Sequence, residues 1–141
     1  MFNTTVTVFN QQDGIWYPHV LHHAQTSKDK GYLLRQYGAD ENNAISVFVH
    51  YTESEGEKYI EDYRYCEPKQ YESEDATECI TFRGGTKFDI IVLGEYTNEV
   101  DDSAYPKGFY DYLRTHRDGV YAINSVSGAF GVIPHFEITG R

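Results

Sequence analysis

Few residues in this chain stand at the spacings that chemistry demands. His19, His22 and His23 are the densest group of potential ligands. On a helix, His19 would share a face with His22 or His23 and offer a metal ion two imidazoles. Pro18 and the β-rich surroundings predict a strand instead, where His22 and His23 point to opposite faces and cannot hold one ion. All three read as ordinary polar edge or loop histidines. Cys66 and Cys79 form no CxxC and have no flanking histidine, so they read as plain thiols rather than a zinc site or a disulfide framework. GxSxG, HExxH and a cysteine with a nearby orienting histidine are all absent from the chain. Arg83-Gly84-Gly85-Thr86-Lys87 lacks the GxxxxGK[ST] pattern of a phosphate loop and reads as a hairpin turn. No catalytic, cofactor-binding or metal-ligating residue is assigned on these grounds, and an enzyme is not expected.

The remaining chemistry is charge. Residues 53–78 hold ten acids against Lys58, Arg64 and Lys69, and so carry most of the formal net charge of −10. No DxDxDG-like calcium loop is present there. Carboxylates at this density repel one another and stay solvated. Glu72, Glu74, Asp75 and Glu78 are the candidates for docking a basic partner or repelling a polyanion. Segments 53–57 and 72–78 are expected as exposed loops, their glutamates making them poor sheet material.

Period-two patterns must position this segment. Thr4-Val6-Val8, Ile45-Val47-Val49 and Ile91-Leu93 alternate as half-buried strands do. Strands are expected near 3–10, 15–22, 31–37, 44–52, 57–65, 78–83, 88–97, 119–126 and 132–140. One stretch has helical spacing instead: Asp101-Asp102-Ser103 offer caps, Pro106 follows, and Phe109, Tyr112, Leu113 and His116 form a stripe closed by Gly119. This predicts a helix near 105–117 docked through Phe109, Tyr112 and Leu113, since so short a helix is marginal alone. A helical turn is expected after Pro68.

The chain has 141 residues, 40% of them apolar and 16% aromatic, which suits a single domain spanning 1–141 with an acidic insertion at about 53–78. The fold class is mainly β, a β-dominated α+β arrangement: a small antiparallel, partly open barrel or sandwich with one packed helix. A net charge of −10 argues against a nucleic-acid reader. The longest apolar run, Ile90-Ile91-Val92-Leu93, falls far short of the roughly 20 residues that span a bilayer, so no membrane association is expected. The polar start MFNTTVT lacks the charged and apolar regions of a signal peptide, so the chain is expected to be soluble in a cytoplasm.

Read in order, TTVTVFN, IWYPHVLHHAQ, KGYLLRQYGADENNAISVFVHY, ITFRGGTKFDIIVLGEY, GFYDYLRTHRDGVYAINSV and VIPHFEITGR resemble a family of minor structural proteins of tailed phages and prophages of Gram-positive bacteria. These are the minor capsid or head-tail joining proteins. The marks are the FDIIVLGEY strand, the GFYDYL helix feeding GVYAINSV, and the closing PHFEITGR strand. The resemblance implies a non-enzymatic neck subunit, similar to the head-closure stoppers that cap the portal and adaptor channel. It implies a hexameric or dodecameric homo-oligomeric ring contacting portal, adaptor and tail proteins, with packaged DNA held or passed without sequence-specific binding. The location implied is the virion neck, after assembly in the host cytoplasm, with no cofactor. A tail-completion or tail-terminator protein is the alternative within this class. A small ligand-binding or metal-dependent hydrolytic domain using His19, His22 and the acidic segment is the alternative outside it.

Overall fold

The computed structural model describes residues 4–27, 45–127 and 135–141. In chain order the strands are β1 (Thr4–Gln12), β2 (Ile15–Ser27), β3 (Ile45–His50), β4 (Thr52–Ser54), β5 (Glu57–Ile60), β6 (Tyr63–Tyr65), β7 (Cys79–Ile80), β8 (Asp89–Leu93), β9 (Val100–Asp101), β10 (Val120–Ser127) and β11 (His135–Gly140). Two helices accompany them, α1 (Pro68–Tyr71) and α2 (Phe109–His116), with a 3₁₀ turn over Asp102–Ala104. The expected strand at 31–37 and the first residues of that at 132–140 lie outside the described residues.

Six strands pair in the order β1-β8-β10-β11-β3-β2, and β2 pairs back onto β1, so the sheet closes into an antiparallel barrel. Closure goes further than the partly open form expected, and it pairs the edges of the main sheet except along the middle of β2. Alternation decides what fills it. Val8, Leu21, Val47, Ile91, Ile123 and Ile138 all belong to one buried cluster, because a barrel of so few strands leaves room only for side chains. The β1–β2 hairpin turns at Asp13-Gly14, both at positive φ (55° and 81°), the pairing that a two-residue turn requires.

The out-of-phase residues of β1, β8 and β10 build a second core. Phe9, Ile90, Val92 and Val120 meet Trp16 and the buried Phe109 and Leu113 of α2. This helix lies inside the range read from its spacing, but Gly108 at its N-cap has no side chain to offer. Asp102 caps it from a distance, accepting from Phe109 N–H at 2.9 Å and from Trp16 Nε1 at 2.9 Å. Tyr112 departs from the expectation. It is 42% exposed and stacks along the helix on Tyr105 and His116, with ring centroids 4.7 and 4.3 Å apart. A helix of eight residues touches the barrel along one line, which the i, i+4 pair Phe109 and Leu113 occupies.

The acidic segment is not a loop insertion. β4, β5 and β6 form an antiparallel sheet that β7 joins in parallel, with α1 bridging β6 and β7. Residues 53–57, expected as an exposed loop, are a β-hairpin turning at Glu55-Gly56, both at positive φ. Glutamates are compatible with this sheet because its outer strand leaves every side chain in water while the backbone pairs with β5. The strand expected at 57–65 is broken by a tight turn at Glu61, where φ is 54°. Residues 72–78 are turns, as expected. Ile60, Ile80 and Phe82 reach into the barrel cluster, while Cys66, Tyr71, Ala76 and Cys79 form a small core of their own against Tyr17. The Arg83–Lys87 stretch is a turn but not a hairpin, since β7 and β8 belong to different sheets. Gly84 is required there: a Cβ would sit 2.6 Å from the Asn124 carbonyl oxygen.

Leu113→Ala is expected to cost about 2–5 kcal/mol, because its side chain is buried against the barrel. Tyr112→Ala should cost less than about 1 kcal/mol. Urea midpoints of the two variants check this, and equal losses would overturn the placement of the helix face.

Candidate functional site

The middle of β2 is where the two sheets meet. β9 covers its outer edge at Ile15 and Trp16, and β3 covers it from Ala24 onward. No strand among the described residues covers that edge between them. Pro18, with no N–H to satisfy, falls in this gap. Val20 N–H donates to the Tyr63 hydroxyl at 3.2 Å, and the Glu61 carboxylate accepts from His22 N–H and His23 N–H at 2.9 Å each. The turn between β5 and β6 thus stands in for a missing strand. The clamp also explains the histidines: β2 bulges opposite Thr4–Val6, so His22 and His23 both face solvent rather than opposite sides of a regular strand.

His19 is not an edge or loop histidine, contrary to the sequence reading. It is fully buried, in phase with Leu21, and fixed to the acidic unit. Its Nε2 lies 2.8 Å from the Ala76 carbonyl and its Nδ1 lies 3.3 Å from that of Val8, with the ring edge-on to Tyr63 at 4.7 Å. A neutral imidazole has one N–H. The shorter contact assigns it to Nε2, which donates to Ala76. Burial outweighs the two carbonyls and holds the imidazole at about 4.

A second buried polar group closes one end of the barrel. Asn10 and Asp89 are cross-strand partners on β1 and β8, in phase with the inward Val8 and Ile91. Asp89 is fully buried and accepts from Arg83 Nε at 2.9 Å, from Arg83 Nη2 at 2.8 Å, from the Arg83 backbone N–H and from Asn10 Nδ2 at 2.7 Å. Burial pushes its carboxyl above the usual range, against the pull of the Arg83 guanidinium. Arg83 also donates to the Gln11 carbonyl at 2.8 Å and lies over the Tyr71 ring. Sequence reasoning missed this network. Its signal was an aspartate at the inward phase of the otherwise apolar FDIIVL strand.

The four carboxylates singled out from sequence do not act as one group. Glu74 is half-buried and accepts from Arg64 at 2.7 Å. Asp75 binds the N–H and hydroxyl of Thr77, which hold it below the usual carboxylate range although it is exposed. Glu72 and Glu78 are exposed. Glu72 joins Gln12, Asp13, Arg83 and Phe88 around a cleft of about 420 Å³ at the turn end of β1 and β2. Phe88 is 49% exposed there, and the guanidinium of Arg83 is already committed to Asp89, so the carboxylates give this cleft its free charge. Of the basic residues in the segment, Arg64 serves Glu74, and Lys58 lies over Tyr51 and Phe136.

Arg64 also donates to the sulfurs of Cys66 (3.4 Å) and Cys79 (3.3 Å). Burial, reinforced by a hydrogen bond to Cys79, pushes the Cys66 thiol up to about 12, which leaves it protonated and unreactive at neutral pH. No cluster of three or more His, Cys, Asp or Glu among the described residues is placed to hold a metal ion. His22 meets the Glu61 carboxylate through its backbone N–H, and His19 meets the acidic unit at the Ala76 carbonyl, so the metal-dependent hydrolytic alternative has no assembled centre among the described residues.

The fold and site define a closed antiparallel barrel, filled by side chains, carrying an acidic sheet-and-helix unit across an uncovered stretch of one strand. The chain belongs to DUF6751, a family of unknown function, whose sequence model matches residues 1–141. No curated protein and no solved structure matches it. No helix among the described residues is long and apolar enough to cross a membrane.

Asp89→Asn keeps the shape of the carboxylate but leaves the Arg83 guanidinium without its counter-charge. It is expected to cost about 3–5 kcal/mol. Glu74→Gln should cost about 0.5–1 kcal/mol through Arg64, and Glu72→Gln and Glu78→Gln should stay within about 0.5 kcal/mol of the parent. Chemical denaturation of the four variants checks this ranking.

Proposed function

We propose that this protein is a non-enzymatic structural subunit of a tailed-phage neck, a head-closure or head-tail connector component that works as a ring between portal or adaptor and tail. The observation that carries the proposal is the acidic unit: a folded platform on a closed barrel, with Glu78 exposed and with Glu72 held in solvent beside an exposed Phe88. A rigid scaffold presenting fixed carboxylates and one apolar anchor suits docking to a basic protein surface. The likeness of the sequence to phage minor structural proteins supports the same reading.

The barrel interior is packed with side chains, so DNA would pass through the centre of the ring and never through the barrel of one subunit. A wall of negative potential lowers adhesion to phosphates. Mutual repulsion of highly acidic copies favours assembly on a preformed platform over free rings in dilute buffer. Salt would then promote self-association.

The test is the position of the protein in virions of a phage that encodes it, by mass spectrometry and electron microscopy. Density between portal and tail is expected. Absence from the virion would overturn the proposal, and density against the tail tube would move the protein to the terminator position. Virions carrying Glu72→Gln, Glu74→Gln, Asp75→Asn and Glu78→Gln together are expected to lose head-tail joining or DNA retention. Normal yield and full DNA content would remove the acidic face from the mechanism.

A further inference from the structure

The cleft at the turn end of the barrel is built jointly by the barrel and the acidic unit. The β1–β2 turn supplies Asp13 and Gly14, the end of α1 supplies Glu72, and the stretch leading into β8 supplies Arg83 and Phe88. Hydrogen bonds fix each wall. Gln11 N–H donates to the Phe88 carbonyl and Asp102 N–H to the Gly14 carbonyl, each at 2.9 Å. Gln12 Nε2 donates to the carbonyls of Tyr71 (2.8 Å) and Glu74 (3.1 Å), on either side of Glu72. At about 420 Å³ the cleft has room for one long side chain and the backbone that carries it, and its walls are already in place.

Its chemistry selects a cation with a flat face. Asp89 cancels the charge of Arg83 at 2.8 Å, while Asp13 and Glu72 have no ion pair among the described residues. Between these carboxylates and the barrel stands Phe88, 49% exposed, whose ring already carries one guanidinium: that of Arg83 lies 5.7 Å from its centroid. A second guanidinium would use both features, since it stacks on an aromatic face and forks onto carboxylates, as an ammonium does not. Arg83 adds a discriminating contact. Its Nε and Nη2 donate to Asp89 and Gln11, and Nη1 makes no hydrogen bond among the described residues, so Nη1 is left for an acceptor in the cleft. A peptide carbonyl is such an acceptor, and a polyamine has none.

We propose that this cleft receives an arginine of a partner polypeptide: the guanidinium stacks on Phe88 and pairs with Glu72 and Asp13, and the main-chain carbonyl of that arginine accepts from Arg83 Nη1. The cleft's role rests on the docking reading of the acidic unit, and it fixes which side chain of the partner that surface reads. Asp13 and Glu72 come from different elements, so the two carboxylates share a site only because the acidic unit is seated on the barrel. Glu78 is also exposed but does not line the cleft, which separates specific capture from general acidity.

The test follows backbone amide chemical shifts of the isolated protein at low salt during titration with acetyl-Gly-Arg-Gly-amide and with its lysine and citrulline counterparts. Citrulline keeps the shape of the guanidinium without its charge. The arginine peptide is expected to shift the amides of Gly14 and Phe88 with a Kd of about 1–10 mM. The lysine peptide should bind about threefold or more weakly, and the citrulline peptide should give no saturable shift. Phe88→Ala and Glu72→Gln, both at exposed positions, are each expected to weaken arginine binding about two- to fivefold, and Glu78→Gln to leave it unchanged. Because the titration uses the isolated protein, its failure and absence of the protein from virions are separate results. Equal binding of the three peptides, binding indifferent to Phe88→Ala, an equal loss in Glu78→Gln, or no saturable shift at several times the expected Kd would each overturn the arginine cleft.

Discussion

Everything in this molecule turns on the uncovered middle of β2. A closed barrel needs β2 to pair with β1 on one edge, from Ile15 to Ala24, while β3 and β9 reach only the two ends of the other edge. Backbone N–H groups between those ends cannot be left buried and unpaired. Tyr63 and Glu61 supply the acceptors and His19 reaches from the strand to Ala76, so the hydrogen bonds of this strand join the apolar contacts of Ile60 and Ile80 in tying the acidic unit to the barrel. The β-bulge, the outward display of His22 and His23, and the positive φ of Glu61 all follow from that clamp.

Charge is arranged in two layers with different purposes. Inside, Asp89 is held by Arg83 and Asn10 at the end of the barrel, where its bonding capacity is filled by donors on two neighbouring stretches of chain. Outside, carboxylates outnumber the cations near them, and two of those cations, Arg64 and Lys58, are committed to Glu74 and to aromatic faces. A surface with surplus negative charge on a folded platform has a definite orientation relative to the barrel, which a flexible acidic loop would lack. This orientation makes the segment suited to docking, and it follows from packing rather than composition.

The single interface also sets a hierarchy of stability. The barrel core and the core under α2 share strands β1, β8 and β10, with alternate residues serving each, so they rise and fall together. The small core around Cys66 and Tyr71 shares no barrel strand except through Tyr17 of β2. Parts of a protein that contact the rest through few polar groups open at lower free energy than its strands do.

Much was legible in the sequence. Period-two alternation marked most of the barrel strands, helical spacing marked α2, and Pro68 marked α1, because each pattern reports a local geometry that buries one side of a local element. The mainly β class followed from the same signal. Barrel closure, the second sheet, the bulge in β2 and the burial of His19 were decided by tertiary structure, since each depends on residues tens of positions apart meeting at one edge. Tyr112 shows the boundary clearly: its spacing places it beside the apolar stripe, and only the line of contact between helix and barrel leaves it in water. Asp89 shows the converse, for an aspartate at an inward position is visible in the sequence, but the partners that make it tolerable, Arg83 and Asn10, are chosen by the fold.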